Sequence, residues 1–244
     1  MKQVLTVTRR ELGGYFATPV AYVFIVIFLL LSGILTFQLG GFFEARQADL
    51  RGFFFWHPWL YLFLIPALSM RLWAEERRSG TIELLMTLPV TMPQVIIGKF
   101  LAAWIFTGVA LLLTFPTWLT VNILGNPDNG TILASYIGSL FMAGGFLAIG
   151  SFTSALTKNQ VIAFVIGIVM CFTFLLFGIP ETTEIIRGWL PTGVVTAIAS
   201  LSFQTHFEAI QKGVIDIRDV LFFLSVIVFF LFANTLILDA KKAH

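Results

Sequence analysis

The sequence predicts an all-α integral membrane protein with six transmembrane helices. Hydrophobic residues make up 58% of the 244 residues and charged residues only 11%, which gives a mean hydropathy of +0.92. Apolar runs of about 20 residues, the length that crosses a bilayer as a helix, recur along the chain. The full prediction is a single membrane domain over residues 1–244, with an N-terminal amphipathic helix, a short cytoplasmic helix between spans two and three, and re-entrant outer helices before span six.

Residues 1–18 are expected to form the amphipathic helix, lying in the plane of the lipid headgroups. Apolar side chains such as Val4 and Leu12 are interspersed with polar ones such as Arg9 and Glu11, a pattern typical of interfacial helices. Gly13 and Gly14 are predicted to bend the chain into the first span. A frayed cytoplasmic tail is the alternative.

The six spans are predicted over residues 19–39, 53–71, 100–124, 132–156, 161–179 and 220–238. The second is the least regular, because Pro58 and Pro66 distort a helix unless neighbouring helices satisfy its backbone. Arg71 and Lys99 are placed at span ends, where their stems can reach the interface. In the fourth span, Gly144, Gly145, Gly150 and Ser154 are predicted to form a small-residue packing surface.

The distribution of basic residues orients the chain. With a cytoplasmic N-terminus, five of the fifteen Lys and Arg residues lie outside, namely Arg46, Arg51, Arg187, Lys212 and Arg218. The other ten lie inside: Lys2, Arg9, Arg10, Arg71, Arg77, Arg78, Lys99, Lys158, Lys241 and Lys242. The positive-inside rule favours this orientation. Both termini are therefore predicted to be cytoplasmic.

Several classes of function are disfavoured by what the sequence lacks. The predicted spans have no charged residue at their centres, whereas ion-coupled transporters use such residues. Gly98-Lys99-Phe100 lacks the other residues of a phosphate-binding loop, so no nucleotide site is expected in this chain. A net charge of +2 is too small for a nucleic-acid partner, and the single Cys171 excludes an internal disulfide.

The segment 74–89 is the one dense polar island, and it is predicted to contain a short helix at the cytoplasmic surface. Thr81 can cap this helix, Glu83 lies in its first turn, and Pro89 ends it. Its length is about 12 Å at 1.5 Å per residue. Ile82, Leu85 and Met86 give it an apolar edge that a groove in another protein could receive. The alternative is a solvated loop whose charges only set the topology.

This segment resembles the signature of type-2 ABC export permeases. The matching run is Glu75-Glu76-Arg77-Arg78-Ser79-Gly80-Thr81-Ile82-Glu83-Leu84-Leu85, followed by Pro89. The resemblance implies a non-catalytic permease subunit of an ATP-driven exporter in the bacterial inner membrane. It also implies cytoplasmic ATPase subunits that bind ATP and Mg²⁺, a second permease that is a copy or a relative, and membrane lipid as surroundings. The ATPase-coupling residues would be Glu75, Glu76, Arg77, Arg78, Gly80, Thr81, Glu83, Leu84, Leu85 and Pro89.

Residues 180–219 are too apolar for a simple loop, and Pro191 and Gly193 interrupt them. We expect short helices that enter the membrane from outside and return. Residues 206–219 are similar to a segment of GldF-type permeases, and the chain as a whole resembles GldF-type and NosY-type members. The candidate contacts to an outer ligand or accessory protein are His206, Glu208, Asp216, Arg218 and Asp219, although the same residues are also ordinary caps and pairs. Their spacing defines no metal geometry.

Two further classes stay open besides the exporter. An intramembrane protease is suggested by Glu75-Glu76 together with His57, but about 18 residues of helix, roughly 27 Å, would separate the two groups. A membrane scaffold without transport is the other. The apolar spans favour a hydrophobic or envelope-related substrate for an exporter.

Overall fold

The computed structural model describes residues 2–44, 46–82 and 90–240, and these ranges contain helices and no strand. The fold is therefore all-α, as predicted. The helices are α1 (Lys2–Phe16), α2 (Pro19–Ile34, continued by a π-helical turn over Leu35–Leu39), α3 (Arg51–Phe55), α4 (His57–Ser69), α5 (Arg71–Ser79), α6 (Met92–Leu112), α7 (Phe115–Leu124), α8 (Asn129–Leu156), α9 (Gln160–Leu176), α10 (Pro180–Arg187), α11 (Thr192–Ala199), α12 (Phe203–Ile210) and α13 (Ile217–Ala240).

Within the described ranges, 4 helical stretches are long and apolar enough to cross a membrane: Pro19–Leu39, Met92–Leu124, Asn129–Leu156 and Ile217–Ala240. They contain the predicted spans one, three, four and six. Span five coincides with α9, which has 17 residues and is at the short end of what a bilayer needs. Six crossings in total remain a prediction.

The predicted second span is divided among α3, α4 and α5. Pro58 lies in the first turn of α4, where the missing N–H has no helical partner to lose. Pro66 lies inside α4, and the helix ends three residues later at Ser69. The chain turns at Met70 and α5 begins at Arg71. The distortion expected from the two prolines is thus present.

Helix α8 is the central helix of the bundle, and α4, α5, α6, α9, α12 and α13 all contact it. Its small residues allow this close packing. A Cβ added at Gly144 would lie 2.9 Å from Ile227 Cδ1 of α13, and one at Gly145 would lie 2.9 Å from the Phe203 ring of α12. The predicted small-residue packing surface is confirmed.

Helix α1 is present as predicted and packs along α6. Val7 contacts the backbone at Gly98, where no Cβ could be accommodated without a shift, and the rings of Tyr15 and Phe106 stack with centroids 5.2 Å apart. The predicted bend at Gly13 and Gly14 is wrong, because both residues lie inside α1. The chain turns after Phe16 instead, since Pro19 disfavours helical geometry in the residue before it, and Thr18 is extended (φ −107°, ψ 140°).

Helix α6 begins eight residues before the predicted start of span three. Thr91 N donates to Gln94 Oε1 at 3.1 Å, and this side chain–backbone bond satisfies a donor at the start of the helix. Lys99 consequently lies within α6 and not at its end. The position of Lys99 at the edge of the membrane stays a prediction, and partners from other helices compensate its charge.

The outer segment contains the expected short helices, α10, α11 and α12. Helix α12 packs on α8 through Phe203, Phe207 and Ile210, which are fully buried. A Cβ added at Gly138 of α8 would lie 2.8 Å from Ile210 Cγ2, so this contact also depends on a glycine. Entry of these helices into the membrane remains a prediction.

Candidate functional site: a buried lysine beside the polar segment

The amino group of Lys99 joins three helices. Its Nζ lies 2.7 Å from Glu76 Oε1 of α5 and 3.0 Å from Glu11 Oε2 of α1, while Lys99 itself belongs to α6 and is 4% exposed. Glu11 also accepts a bond of 2.8 Å from Arg10 Nη2. We call Lys99, Glu76 and Glu11 the lysine network.

The network compensates charges that are largely removed from water. Burial alone would raise the pKa of the Glu11 carboxyl, but Lys99 and Arg10 outweigh it and hold the pKa below its ordinary value of 4.5. Lys99 Nζ also lies 5.5 Å from the centroid of the buried Trp73 ring, within cation–π range. The ammonium group is therefore held by two carboxylates and an aromatic ring.

Ser154 of α8 fixes the start of α5. The first N–H groups of a helix have no partner within it, and Trp73 N and Ala74 N both donate to Ser154 Oγ at 3.0 Å. The same hydroxyl donates to Met70 O at 2.7 Å. A single serine from another helix thus caps α5 and holds the turn between α4 and α5.

Two further contacts fix α5 on the central helix. Ser151 Oγ accepts from Trp73 Nε1 at 3.1 Å and from Asn234 Nδ2 of α13 at 2.8 Å. Arg77 Nη1 donates to Ala155 O at 2.7 Å, where a cation is favoured by the exposed carbonyls of a helix C-terminus. Helix α5 is consequently bonded to α6, α8 and, through Ser151, α13.

The predicted coupling residues differ in their surroundings. Glu76 and Arg77 make the contacts above, whereas Glu75 and Arg78 are exposed. Gly80 ends α5 with φ of +73°, a conformation that glycine adopts without strain. Thr81 is exposed, and its hydroxyl lies 2.9 Å from that of Ser79. The remaining predicted residues lie outside the described ranges: Glu83, Leu84, Leu85 and Pro89.

Four residues of this site were missed as site residues by the sequence interpretation. They are Lys99, Glu11, Trp73 and Ser154. A signal for Lys99 was available, since Thr91-Met-Pro-Gln94 is a helix-start pattern that places the lysine two turns inside a helix. The signature segment had already singled out its partner Glu76, but no local signal pointed to Glu11, which is 88 residues away in sequence.

The outer candidates do not form one cluster. His206 Nδ1 lies 2.6 Å from Asp219 Oδ1, and its Nε2 lies 2.9 Å from Ser200 O. Glu208 accepts from Gln204 Nε2 at 2.8 Å, and Asp216 Oδ1 accepts from Arg218 N at 3.0 Å at the start of α13. The observed contacts are those of pairs and caps, the alternative that the sequence left open. No group of three or more metal-ligating residues is found in the ranges that the structure describes.

His57 and Glu75, the pair that suggested a protease, have separate surroundings. His57 is fully buried, and its Nδ1 lies 2.7 Å from Ser139 Oγ, which is also 2.7 Å from Tyr61 Oη. Glu75 is exposed and lies 4.0 Å from Arg71 Nε on its own helix. Their described contacts have no residue in common.

Long apolar helices around a glycine-rich central helix, with one charged network at the end that carries the polar segment, define a multi-pass membrane protein. The family of ABC-2 family transporter proteins matches residues 59–241, well over half of the chain. The chain belongs to this family and is therefore a membrane component of an ABC transporter. A comparison with curated proteins gave no match. The match includes the polar segment but not α1 and α2, and it leaves the GldF-type or NosY-type likeness a prediction.

Proposed function

We propose that this chain is the permease subunit of an ATP-driven exporter and that separate cytoplasmic ATPase subunits dock on residues 74–89. The observation that carries the proposal is the lysine network. Helix α5 leads into the predicted docking helix, and Glu76 of α5 is bonded through Lys99 to both α6 and α1. A displacement of the docking segment would therefore reach the first helix and the third span together.

The distribution of charge supports an external source of energy. In the described part of the long apolar helices, charged side chains lie near helix ends except for Lys99, which two carboxylates neutralise. A transporter driven by an ion gradient needs ionisable groups along its path. ATP and Mg²⁺ bound by a partner subunit would supply the energy instead, and this chain would itself be non-catalytic.

The proposal includes an orientation and an assembly. By the positive-inside rule, α1, α5 and both termini would lie on the cytoplasmic side of the bacterial inner membrane. Two permeases, either two copies or this chain and a relative, would enclose a path for outward movement of a hydrophobic or envelope-related substrate. Accessory proteins on the outer side would contact the segment around His206.

The alternatives have weaker support. A protease would need His57 and the Glu75-Glu76 pair to act on one bond. His57 begins α4 and bonds Ser139, whereas Glu75 lies in α5 and pairs with Arg71. A scaffold without transport would not need a buried cation linking the polar segment to two other helices.

The experiment is affinity isolation of the tagged chain from its native membranes in mild detergent. The wild-type chain should recover a nucleotide hydrolase whose activity stays with it on size exclusion. Leu85→Asp, on the predicted apolar edge of the docking helix, should lose the hydrolase, whereas Glu208→Gln at the opposite end should retain it.

Lys99→Met separates docking from coupling. We expect this variant to retain the hydrolase but to lose the ATP-dependent change in labelling of a cysteine introduced at Tyr22, in a Cys171→Ser background. Failure of the wild-type chain to recover any hydrolase, or equal recovery by Leu85→Asp, would contradict the proposal.

A further inference from the structure

A cleft of about 480 Å³ lies between α2 and α4, with α1 and α5 at one end. Its volume is within the range of about 300–1,000 Å³ that is common for ligand sites. The walls between the two helices are apolar and include Val23, Ile27 and Leu64. Val23 and Ile27 belong to the exposed apolar face of α2, so the cleft is continuous with a surface that lipid would cover.

Charged side chains are confined to the end of the cleft beside α5. Three of them, Glu11, Glu76 and Lys99, bond one another in the lysine network, and only Glu76 Oε2 of their carboxylate oxygens is buried without a hydrogen-bond partner. Of the described charged residues that line the cleft, Arg71 and Glu75 are left. Their side chains are 46% and 57% exposed, and Arg71 Nε lies 4.0 Å from Glu75 Oε2. A charge-assisted hydrogen bond is about 1 Å shorter, so this is a loose pair that can accept other partners.

We propose that this cleft binds a zwitterionic phospholipid whose headgroup carries a primary ammonium. The phosphate lies on Arg71, the ammonium on Glu75, and one acyl chain occupies the space between α2 and α4. A guanidinium group binds phosphate oxygens in a forked geometry, and a carboxylate accepts hydrogen bonds from an ammonium. The apolar walls and the opposite charges at one end therefore match the two parts of such a lipid.

Other membrane lipids fit this arrangement less well. An anionic lipid such as phosphatidylglycerol would bring its phosphate to Arg71 but only neutral hydroxyls to Glu75, so the charge of this carboxylate would not be compensated. A choline lipid has no N–H to donate to Glu75, although it carries the same net charge. The site therefore selects by the hydrogen-bonding ammonium, and its occupancy does not depend on the proposed ATPase.

The test is native mass spectrometry of the purified chain with equal amounts of phosphatidylethanolamine, phosphatidylcholine and phosphatidylglycerol of identical acyl chains. We expect the ethanolamine lipid to give the most abundant adduct. Glu75→Gln should lower that adduct about tenfold, the loss expected for one charge-assisted hydrogen bond. Glu184→Gln, which removes an exposed carboxylate from α10, should leave it unchanged.

A second variant tests the cleft itself. Ala67→Trp, which places an indole on the cleft wall, should remove the adducts of all three lipids. Val228→Trp, on the exposed face of α13 (65% exposed), should not, and an unchanged elution volume would show that both variants are folded. Equal adducts of the three lipids, or no effect of Glu75→Gln, would overturn the proposal.

The competing occupant is a second copy of this chain. Val23→Cys in a Cys171→Ser background would then form a disulfide-linked dimer in membranes, and that result would also overturn the proposal. Absence of the dimer together with the ethanolamine preference supports it. Because the lipid is measured on the isolated chain, failure of ATPase docking would leave this result unaffected.

Discussion

Lys99 is a charged residue in a place where a charge is normally unfavourable. Its ammonium is removed from water, and the two carboxylates that compensate it come from two different helices, both of which precede it in the sequence. Removing one member of such a set leaves the others uncompensated, and this costs more than the intact set contributes. The residue therefore specifies how α1, α5 and α6 are arranged more than it adds to stability.

Lys99→Met should accordingly lower the melting temperature of the purified chain. The free energy of unfolding should fall by about 3 kcal/mol, because Glu11 and Glu76 would lose their shared cation. Differential scanning fluorimetry in detergent measures it. The triple variant Glu11→Gln, Glu76→Gln, Lys99→Met should recover much of the loss, and Lys212→Met, at an exposed position, should have no effect. An unchanged melting temperature for Lys99→Met would show that the network is not formed.

At the scale of the elements, local signals determine where most helices begin. Asp128 accepts from Gly130 N and Thr131 N, and Asn159 accepts from Val161 N and Ile162 N, so α8 and α9 begin at positions that their caps predict. The turn at Met70 has no such signal. Its partner is Ser154, 84 residues away, and contacts of that separation cannot be read from a local pattern.

The contact between α8 and α4 gives a prediction for Gly150. A Cβ at this position would clash with Ser69 Oγ and would lie 2.8 Å from Ser69 Cβ. Gly150→Ala should therefore destabilise the fold by about 1–3 kcal/mol, as overpacking does. Thermal unfolding measures the effect, and adding Ser69→Gly should reverse most of it.

Gly33→Ala is the matched control, since nothing lies within 4 Å of an added Cβ there. This substitution should be neutral or slightly stabilising, because alanine is the better helix former. Equal melting temperatures of Gly150→Ala and Gly33→Ala would mean that α4 and α8 do not pack as described.

At the scale of the whole molecule, the site lies at one end of the helix bundle, and the three short helices α10, α11 and α12 lie at the other end. The presence of a membrane domain, its helical class and the polar segment were all predictable, because composition and run length are properties of the chain alone. The lysine network was not, since it needs three helices to be in place. Exposed apolar side chains on α10 and α11, such as Ile185 and Val194, favour contact of these helices with lipid.

A fluorophore on Val194→Cys, in a Cys171→Ser background, tests the predicted re-entrant segment. If α11 enters the bilayer, spin-labelled lipid should quench this fluorophore in reconstituted vesicles about as strongly as one on Val228→Cys of α13. A fluorophore on Asn126→Cys, in the turn between α7 and α8, should be protected from quenching. Quenching at position 194 no stronger than at position 126 would show that the segment stays outside the membrane.

The hydroxyl of Ser154 also has a consequence for biosynthesis. Trp73 and Ala74 leave the ribosome about 80 residues before the serine that accepts their N–H groups. At bacterial and eukaryotic elongation rates of about 5–20 residues per second, this is a delay on the order of 4 to 16 s. During that interval water or the insertion machinery must accept hydrogen bonds from these two N–H groups, so the start of α5 is fixed only after α8 has been synthesised.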